Sequence, residues 1–276
     1  MQQRQANFTY QEHDIFYRSW LPDSPKGVIL VCHGIAEHSG RYQHVAEYFV
    51  AKGFAVYAQD HIGHGKSSGK RMHIGSFEAI IQTVDTLRQI IDGEHPDLPL
   101  VLLGHSMGGL IAANYICRYQ QRISACALSA PALAADIRPP DFVIATLGVL
   151  SKALPNLGLL ALDSSGISRD ENEVQKYLED PLVISKKVDM KSIVELDAAL
   201  QNTFANAKNV ELPVLIQHGE ADIITNPQGS KDFFEKISST NKAIKLYPEL
   251  FHEIFNEPER DQVLNDLYHW ISNAIA

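Results

Sequence analysis

A serine stands at the centre of a Gly-x-Ser-x-Gly pentapeptide at residues 104–108. The pentapeptide follows an apolar run at residues 100–103 and opens a segment rich in alanine and leucine, which predicts a strand before it and a helix after it. A serine on such a sharp strand-to-helix turn has its hydroxyl exposed above the sheet, and glycines tolerate the crowding of the turn. The pattern therefore predicts that Ser106 is a nucleophile that attacks a carbonyl carbon.

A serine nucleophile needs a base that takes its proton and an acid that orients the base. In an elbow of this type the acid precedes the histidine along the chain. Asp222 follows an apolar run at residues 214–217 and is the predicted acid, whereas Glu220 in the same loop is an alternative that looks more like a solvated carboxylate. His252 follows the next predicted strand, residues 243–247, and is the predicted base.

The oxyanion of an acyl-transfer intermediate is stabilised by two backbone N–H groups. Met107 supplies the first, because it directly follows the nucleophile. The second is predicted at Ile35, because the His33-Gly34 pair after an early apolar run allows the chain to turn tightly towards the site. The side chain of His33 is predicted to form structural hydrogen bonds.

Strand-like and helix-like segments alternate in the first and last parts of the chain. This order predicts an α/β fold with a mostly parallel sheet covered by helices on both faces. The predicted strands are residues 16–20, 27–31, 55–58, 100–103, 125–128, 214–217 and 243–247. The predicted helices that accompany them are residues 42–51, 77–91, 108–118, 229–237 and 260–274.

The alternation stops in the middle of the chain, where helical patterns occur at residues 142–153 and 193–207 without a convincing strand. We predict a core made of residues 1–131 and 208–276, with a helical lid, residues 132–207, inserted over the sheet edge at which α/β folds bind ligands. Apolar side chains of the lid either pack on the protein or line an acyl tunnel or contact a lipid surface, and both explanations stay open. They are Phe142, Val143, Ile144, Leu147, Val149, Leu150, Leu154, Leu157, Leu159, Leu160 and Leu162.

The formal net charge of -9 gives no basic surface for phosphate backbones, so nucleic acid is excluded as a partner and a neutral or lipid-borne substrate is favoured. No segment has the character of a signal peptide or the length of a membrane span, which predicts a cytoplasmic protein. Cys32, Cys117 and Cys126 cannot all pair and are predicted to be reduced core thiols. None has metal-ligand spacing with a histidine.

Three segments around these residues, 33–42, 60–67 and 104–109, resemble the signatures of the monoacylglycerol lipase family of α/β-hydrolases. The similarity continues at residues 154–157, 163–169 and 180–182. The resemblance implies hydrolysis of a monoacylglycerol through an acyl-enzyme, with a lid, a tunnel for one acyl chain and no metal or organic cofactor. It also implies a polar pocket for glycerol at Glu37, Arg41 and Tyr177, although Glu37 and Arg41 have an alternative as an ion pair that braces the oxyanion loop.

Other functions stay open at this point. A lysophospholipase or a general carboxylesterase would use the same chemistry, and a non-catalytic receptor with an α/β-hydrolase fold would need no complete triad. The expected partner is a small lipid ester, and a transient contact of the lid with a membrane surface is an open possibility. Acyl chain-length preference and oligomeric state are not encoded in any recognisable pattern.

Overall fold

The computed structural model describes residues 1–134, 141–160 and 163–276. Its strands are β1 (Gln2–Tyr10), β2 (His13–Leu21), β3 (Gly27–Cys32), β4 (Phe54–Gln59), β5 (Leu100–His105), β6 (Ala125–Ser129), β7 (Gly158–Leu160), β8 (Val188–Asp189), β9 (Val214–Gly219) and β10 (Lys242–Tyr247). Its α-helices are α1 (Gln43–Ala51), α2 (Phe77–Glu94), α3 (Met107–Ile116), α4 (Asp141–Ala153), α5 (Glu171–Glu179), α6 (Met190–Asn206), α7 (Pro227–Lys236) and α8 (Arg260–Ala274).

Eight strands form one sheet in the order β1-β2-β4-β3-β5-β6-β9-β10. β1 pairs antiparallel with β2, and β2 pairs antiparallel with β4, whereas the other neighbours are parallel. The predicted α/β class with a mostly parallel sheet is confirmed. Parallel strands bring their carboxyl ends to one edge, so the loops after β3, β5, β9 and β10 meet there.

Both faces of the central strands are buried, which explains why β3, β4, β5, β6 and β9 are largely apolar runs. Along β3, Val28 and Leu30 pack into a core with α2, α3 and α7, while Ile29 and Val31 pack into a second core with α1 and α8. Cys32, Cys117 and Cys126 are free and buried, as predicted.

The strands of the structure differ from the prediction in two places. β1 was not predicted, because its polar residues are mostly exposed at the edge of the sheet and give no apolar periodicity. The expectation that the middle of the chain lacks strands was wrong, since β7 and β8 pair there. Both strands are very short, with three and two residues, so the sequence contains no alternation of apolar and polar residues that could have predicted them.

The segment between β6 and β9, which we call the insert, contains α4, β7, α5, β8 and α6. The helices predicted at residues 142–153 and 193–207 correspond to α4 and α6. Several apolar side chains of the insert are exposed, with exposed fractions of 72% for Phe142, 69% for Val149 and 55% for Leu154, so internal packing does not account for them. Leu162 lies outside the described residues. Among the described residues, no helix has both the length and the apolar character needed to cross a membrane.

Candidate active site

Ser106 lies at the turn between β5 and α3, where its φ of 55° and ψ of -119° are unfavourable for a residue with a side chain. The turn is crowded on both sides. A Cβ on Gly104 would lie 2.2 Å from the carbonyl oxygen of Gly108, and one on Gly108 would lie 2.0 Å from that of Cys32. The two glycines are therefore required by close backbone contact, and the turn has the strained geometry expected of a nucleophile elbow.

Asp222 and His252 meet at the same edge of the sheet, after β9 and β10. The Nδ1 atom of His252 lies 2.7 Å from Oδ2 of Asp222, and both side chains are buried. The backbone N–H groups of Ile224 and Thr225 donate to Oδ1 of Asp222. Because the carboxylate is held in place on both oxygens, it fixes the His252 ring with Nδ1 protonated and leaves Nε2 available as an acceptor.

The environment keeps Asp222 ionised. Burial alone would favour the neutral acid, but hydrogen bonds from His218 and His252 outweigh it and hold the pKa of Asp222 well below its usual range. Glu220, the alternative acid, is exposed to solvent. The structure therefore brings Asp222, and not Glu220, into contact with His252.

Ser106 and His252 line one cavity of about 270 Å³, together with Ile35, Glu37 and Tyr177. The ring of His105 stands beside this pair, with its centroid 4.8 Å from that of His252. Burial, reinforced by the neighbouring His252, lowers the pKa of His105 to about 3. His105 is therefore a neutral neighbour of the pair at physiological pH.

The two predicted oxyanion-hole donors flank the nucleophile. Met107 is the first residue of α3, and an N–H in the first turn of a helix has no acceptor within that helix. Ile35 lines the cavity, and the preceding Gly34 is so close that a Cβ on it would lie 3.2 Å from Cβ of Ser106. The N–H of Gly34 donates to Oε1 of Glu37 over 2.6 Å, which fixes the loop. Ile35 and Met107 thus both lie at the site of the nucleophile, and their role as oxyanion donors stays a prediction.

His33 has the structural role that its position suggested. Its Nδ1 donates to the carbonyl of Gly34 over 2.7 Å, and its Nε2 accepts from the N–H of His61 over 3.0 Å. The rings of His61 and His64 lie against it, with centroids 4.1 and 5.5 Å from its own. A buried histidine cluster therefore supports the oxyanion loop from behind.

A charged network occupies the polar end of the cavity. Nη1 of Arg41 lies 2.9 Å from Glu37, and the guanidinium binds both oxygens of Glu253, at 2.6 and 2.7 Å. The ring of Tyr177 covers the guanidinium, with its centroid 4.7 Å from the central carbon. Glu37 and Arg41 thus form the ion pair that was one of the two alternatives, while Glu37 and Tyr177 also line the cavity.

The carboxylates of this network are held differently. Burial raises the pKa of Glu37 and the charge of Arg41 only partly opposes it, whereas Arg41 overcomes burial at Glu253 and brings its pKa to about 2. Together with one guanidinium, the two acids give the polar end of the cavity no excess positive charge.

Sequence reasoning missed two residues that touch the site. Glu253 directly follows the predicted base, but no local pattern indicates that it pairs with Arg41. His218 stands four residues before Asp222 and contacts the same carboxylate, with Nε2 3.0 Å from Oδ2. Its place at the end of β9, in the loop that supplies the acid, was a signal that could have identified it.

Comparison with known proteins identifies the family to which this chain belongs. Residues 23–259 match the family model described as serine aminopeptidase, S33. Over 258 residues the chain is 40% identical to a monoacylglycerol lipase of Mycolicibacterium smegmatis, with 93% of this chain and 92% of that protein covered. The chain belongs to the monoacylglycerol lipase family of α/β-hydrolases. A family member from Mus musculus, monoglyceride lipase, is 33% identical over 270 residues, covering 95% of this chain and 88% of that protein.

A solved structure agrees with this assignment to the monoacylglycerol lipase family. The monoacylglycerol lipase of Paleococcus ferrophilus superposes with a TM-score of 0.83 at 32% identity, covering 99% of this chain and all of that one (100%). The predicted α/β-hydrolase fold is confirmed, and this member of the monoacylglycerol lipase family is a hydrolase that acts on esters.

Proposed function

We propose that the protein hydrolyses monoacylglycerols to a free fatty acid and glycerol through an acyl-enzyme formed on Ser106. The observation that supports this most strongly is the strained elbow serine sharing a cavity with a histidine that is held by a buried carboxylate. The relatives named monoacylglycerol lipase, which match almost the whole chain, support the choice of substrate.

In the first half of the proposed reaction, Oγ of Ser106 attacks the ester carbonyl carbon and His252 takes the hydroxyl proton on Nε2. The carbonyl electrons move to the oxygen, which accepts hydrogen bonds from the N–H groups of Ile35 and Met107. The bond to the glycerol oxygen then breaks, and the proton on His252 passes to that oxygen. Glycerol departs and the fatty acyl group remains on Ser106.

In the second half, water attacks the acyl-enzyme carbonyl while His252 again takes the proton. The tetrahedral intermediate collapses, the proton returns to Oγ of Ser106, and the fatty acid leaves. Asp222 stays ionised throughout. Its carboxylate holds the imidazole in one tautomer and stabilises the cationic form. No other residue has to supply a proton, so the reaction ends with Ser106 and His252 in their starting protonation states.

The charged network favours a glycerol head group over a phosphate-containing one. Arg41 is already bound by two carboxylates and stacked by Tyr177, so a phosphate entering beside Glu37 and Glu253 would meet negative charge. A neutral glycerol can instead donate its hydroxyl protons to Glu37, which lines the cavity. At this end of the cavity the argument supports a monoacylglycerol over the lysophospholipid that the sequence left open. Lys186 and Lys187 line another part of the same cavity, so the substrate panel below is what tests the choice. Glycerol contact with Glu37, Arg41 and Tyr177 is part of this proposal.

We further propose that the insert is a lid that contacts lipid surfaces. Phe142 and Val149 are seven residues apart and lie on the same face of α4, and Leu154, Leu157 and Leu160 extend the exposed apolar surface towards β7. A substrate that resides in membranes requires the enzyme to approach them, and exposed apolar clusters on an otherwise polar surface mark such contacts. With it we propose a cytoplasmic location with reversible membrane contact.

The lid is tested by sedimentation with neutral phosphatidylcholine vesicles. Phe142→Ser combined with Val149→Ser should remove most of the bound fraction, whereas Tyr119→Ser, an exposed aromatic outside the insert, should leave it unchanged. Equal vesicle binding by all variants would refute the lid contact.

The reaction is tested with a panel of equal acyl length: a monoacylglycerol, a diacylglycerol, a lysophosphatidylcholine and a p-nitrophenyl ester. We expect the monoacylglycerol to be preferred and Ser106→Ala to lose at least about 10³-fold of its turnover. Ser165→Ala, an exposed serine of the insert, serves as the matched control. Preference for the lysophospholipid would reject the glycerol pocket, and failure of a fluorophosphonate to label Ser106 in folded protein would favour the receptor.

A further inference from the structure

The buried acid of the site is shared by two histidines. Oδ2 of Asp222 lies 2.7 Å from Nδ1 of His252 and 3.0 Å from Nε2 of His218. The proposed reaction uses His252 only. His218 is completely buried at the end of β9, so its contact with the carboxylate is not an accident of surface packing.

The neighbours of His218 determine where its proton sits. Nε2 faces Oδ2 of Asp222 and the carbonyl oxygen of Thr225, both at 3.0 Å, and both of these atoms only accept hydrogen bonds. Nε2 must therefore carry a proton and donate it. Nδ1 lies 2.7 Å from Oγ of Ser230, a hydroxyl that can donate to it. The two acceptors at Nε2 therefore fix the tautomer in which His218 donates to the acid, and Ser230 supports it by donating to Nδ1.

Three donors compete for one oxygen of the acid. Besides the two histidines, the hydroxyl of Thr225 lies 2.8 Å from Oδ2 of Asp222. Each hydrogen bond draws on the negative charge of that oxygen and leaves less of it to stabilise a cationic His252. Without the hydrogen bond from His218, more of the negative charge on Oδ2 of Asp222 would be available to stabilise a cationic His252.

We propose that His218 is a positioning residue that acts through Asp222 to keep His252 unprotonated, and therefore active as a base, at lower pH than Asp222 alone would allow. This inference rests on the proposed function, since it assigns a role around the same serine and base. The two histidines then have different roles, because His252 exchanges the proton with the substrate while His218 tunes the carboxylate between them.

Other titratable groups face the base and must stay constant in the test. The ring of His105 packs on His252, and Glu253 follows it in the chain with its charge matched by Arg41. None of the three hydrogen-bonds to His218 in the part of the chain that the structure describes. Substitution at His218 therefore changes the base chiefly through Asp222.

The experiment is the pH dependence of kcat/KM between pH 5 and 9 for a soluble ester, p-nitrophenyl butyrate. The acid limb reports the protonation of the essential base in the free enzyme. His218→Leu should move that limb to higher pH by about one unit, the effect of losing one hydrogen bond to a charged group. His218→Gln retains an N–H donor and should return the limb to within about 0.3 units of the parent profile.

A second variant covers the case in which His218→Leu does not fold. Ser230→Ala removes the hydroxyl that donates to Nδ1 of His218 without emptying the space of a ring, and should move the acid limb in the same direction by about half a unit. An unshifted limb in folded His218→Leu, or a shift to lower pH, would overturn the proposal. If the leucine variant is unfolded, an unshifted limb in Ser230→Ala overturns it.

Fluorophosphonate labelling separates this failure from that of the proposed function. Labelling of Ser106 with an unshifted acid limb would reject the role of His218 alone. Absence of labelling in the folded parent protein would reject the proposed function itself. The same samples serve both measurements.

Discussion

The buried histidines behind the oxyanion loop should make the protein sensitive to acid. His33, His61 and His64 are fully buried, and burial, with a smaller contribution from the proximity of His64, lowers the pKa of His61 to about 3. Burial likewise lowers the pKa of His64 to about 4 and holds that of His33 well below its usual range. His61 and His64 are therefore neutral in the folded protein at pH 5, while in the unfolded chain they are charged.

Proton linkage gives the direction in which the free energy of unfolding changes with pH. A histidine whose pKa is lowered by folding contributes full stability above about pH 6.5 and loses it as the pH falls towards the folded value, because the unfolded chain binds the proton first. Between pH 7.5 and 5.0 each such histidine costs about 2 kcal/mol. His61 and His64 together should lower the free energy of unfolding by about 4 kcal/mol over this interval, and His33 should add to the loss.

The perturbation that tests this is His61→Leu, examined by urea unfolding at pH 7.5 and 5.0. The variant should lose about 2 kcal/mol less than the parent protein over the interval, because one buried titration has been removed. His269→Leu removes an exposed histidine and should follow the parent. If His61→Leu loses as much stability as the parent protein, the burial argument is wrong for this cluster.

Three further outcomes are expected. Arg41→Met leaves two buried carboxylates without their cation and should lower the free energy of unfolding by about 3 kcal/mol in urea; a change under about 1 kcal/mol would contradict this. Gly108→Ala places a Cβ 2.0 Å from a main-chain oxygen and should abolish esterase activity, whereas Gly93→Ala, where nothing lies within 4 Å, should retain it. Asp222→Asn should lower kcat for a p-nitrophenyl ester by about 10⁴ while circular dichroism stays unchanged; a loss under about tenfold would contradict its role.

The positions of Ser106, Asp222 and His252 could be predicted because each follows a strand of a parallel sheet. Apolar runs identify such strands from sequence, and the carboxyl ends of parallel strands meet at one edge. Chain order then selects the acid and the base without knowledge of tertiary structure. The crowding that requires glycine at the elbow is only partly local, since Gly104 is crowded by Gly108 within the turn, whereas Gly108 is crowded by the main chain of Cys32 at the end of β3.

The polar network could not be predicted in the same way. Glu253 and Arg41 are 212 residues apart, and their contact exists only because the loop after β10 folds against the loop after β3. An arginine and a glutamate at that separation carry no shared pattern. His218 differs from this network, because its place at the end of β9, four residues before Asp222, is a local signal that the sequence does contain. β1 was missed for another reason: an exposed edge strand buries too little apolar surface to show a period of two.

The hydrogen bonds of the insert limit how a lid could open. The backbone N–H of His252 donates to the carbonyl of Gly166, and that of Glu253 donates to the carbonyl of Ile167 over 2.7 Å. This inner part of the insert therefore holds the loop of the proposed base, and its displacement would move His252 away from Asp222. The exposed helix α4 makes no such contact with the base loop among the described residues. Opening that preserves the catalytic geometry must accordingly be confined to the outer part of the insert, where the apolar side chains are exposed.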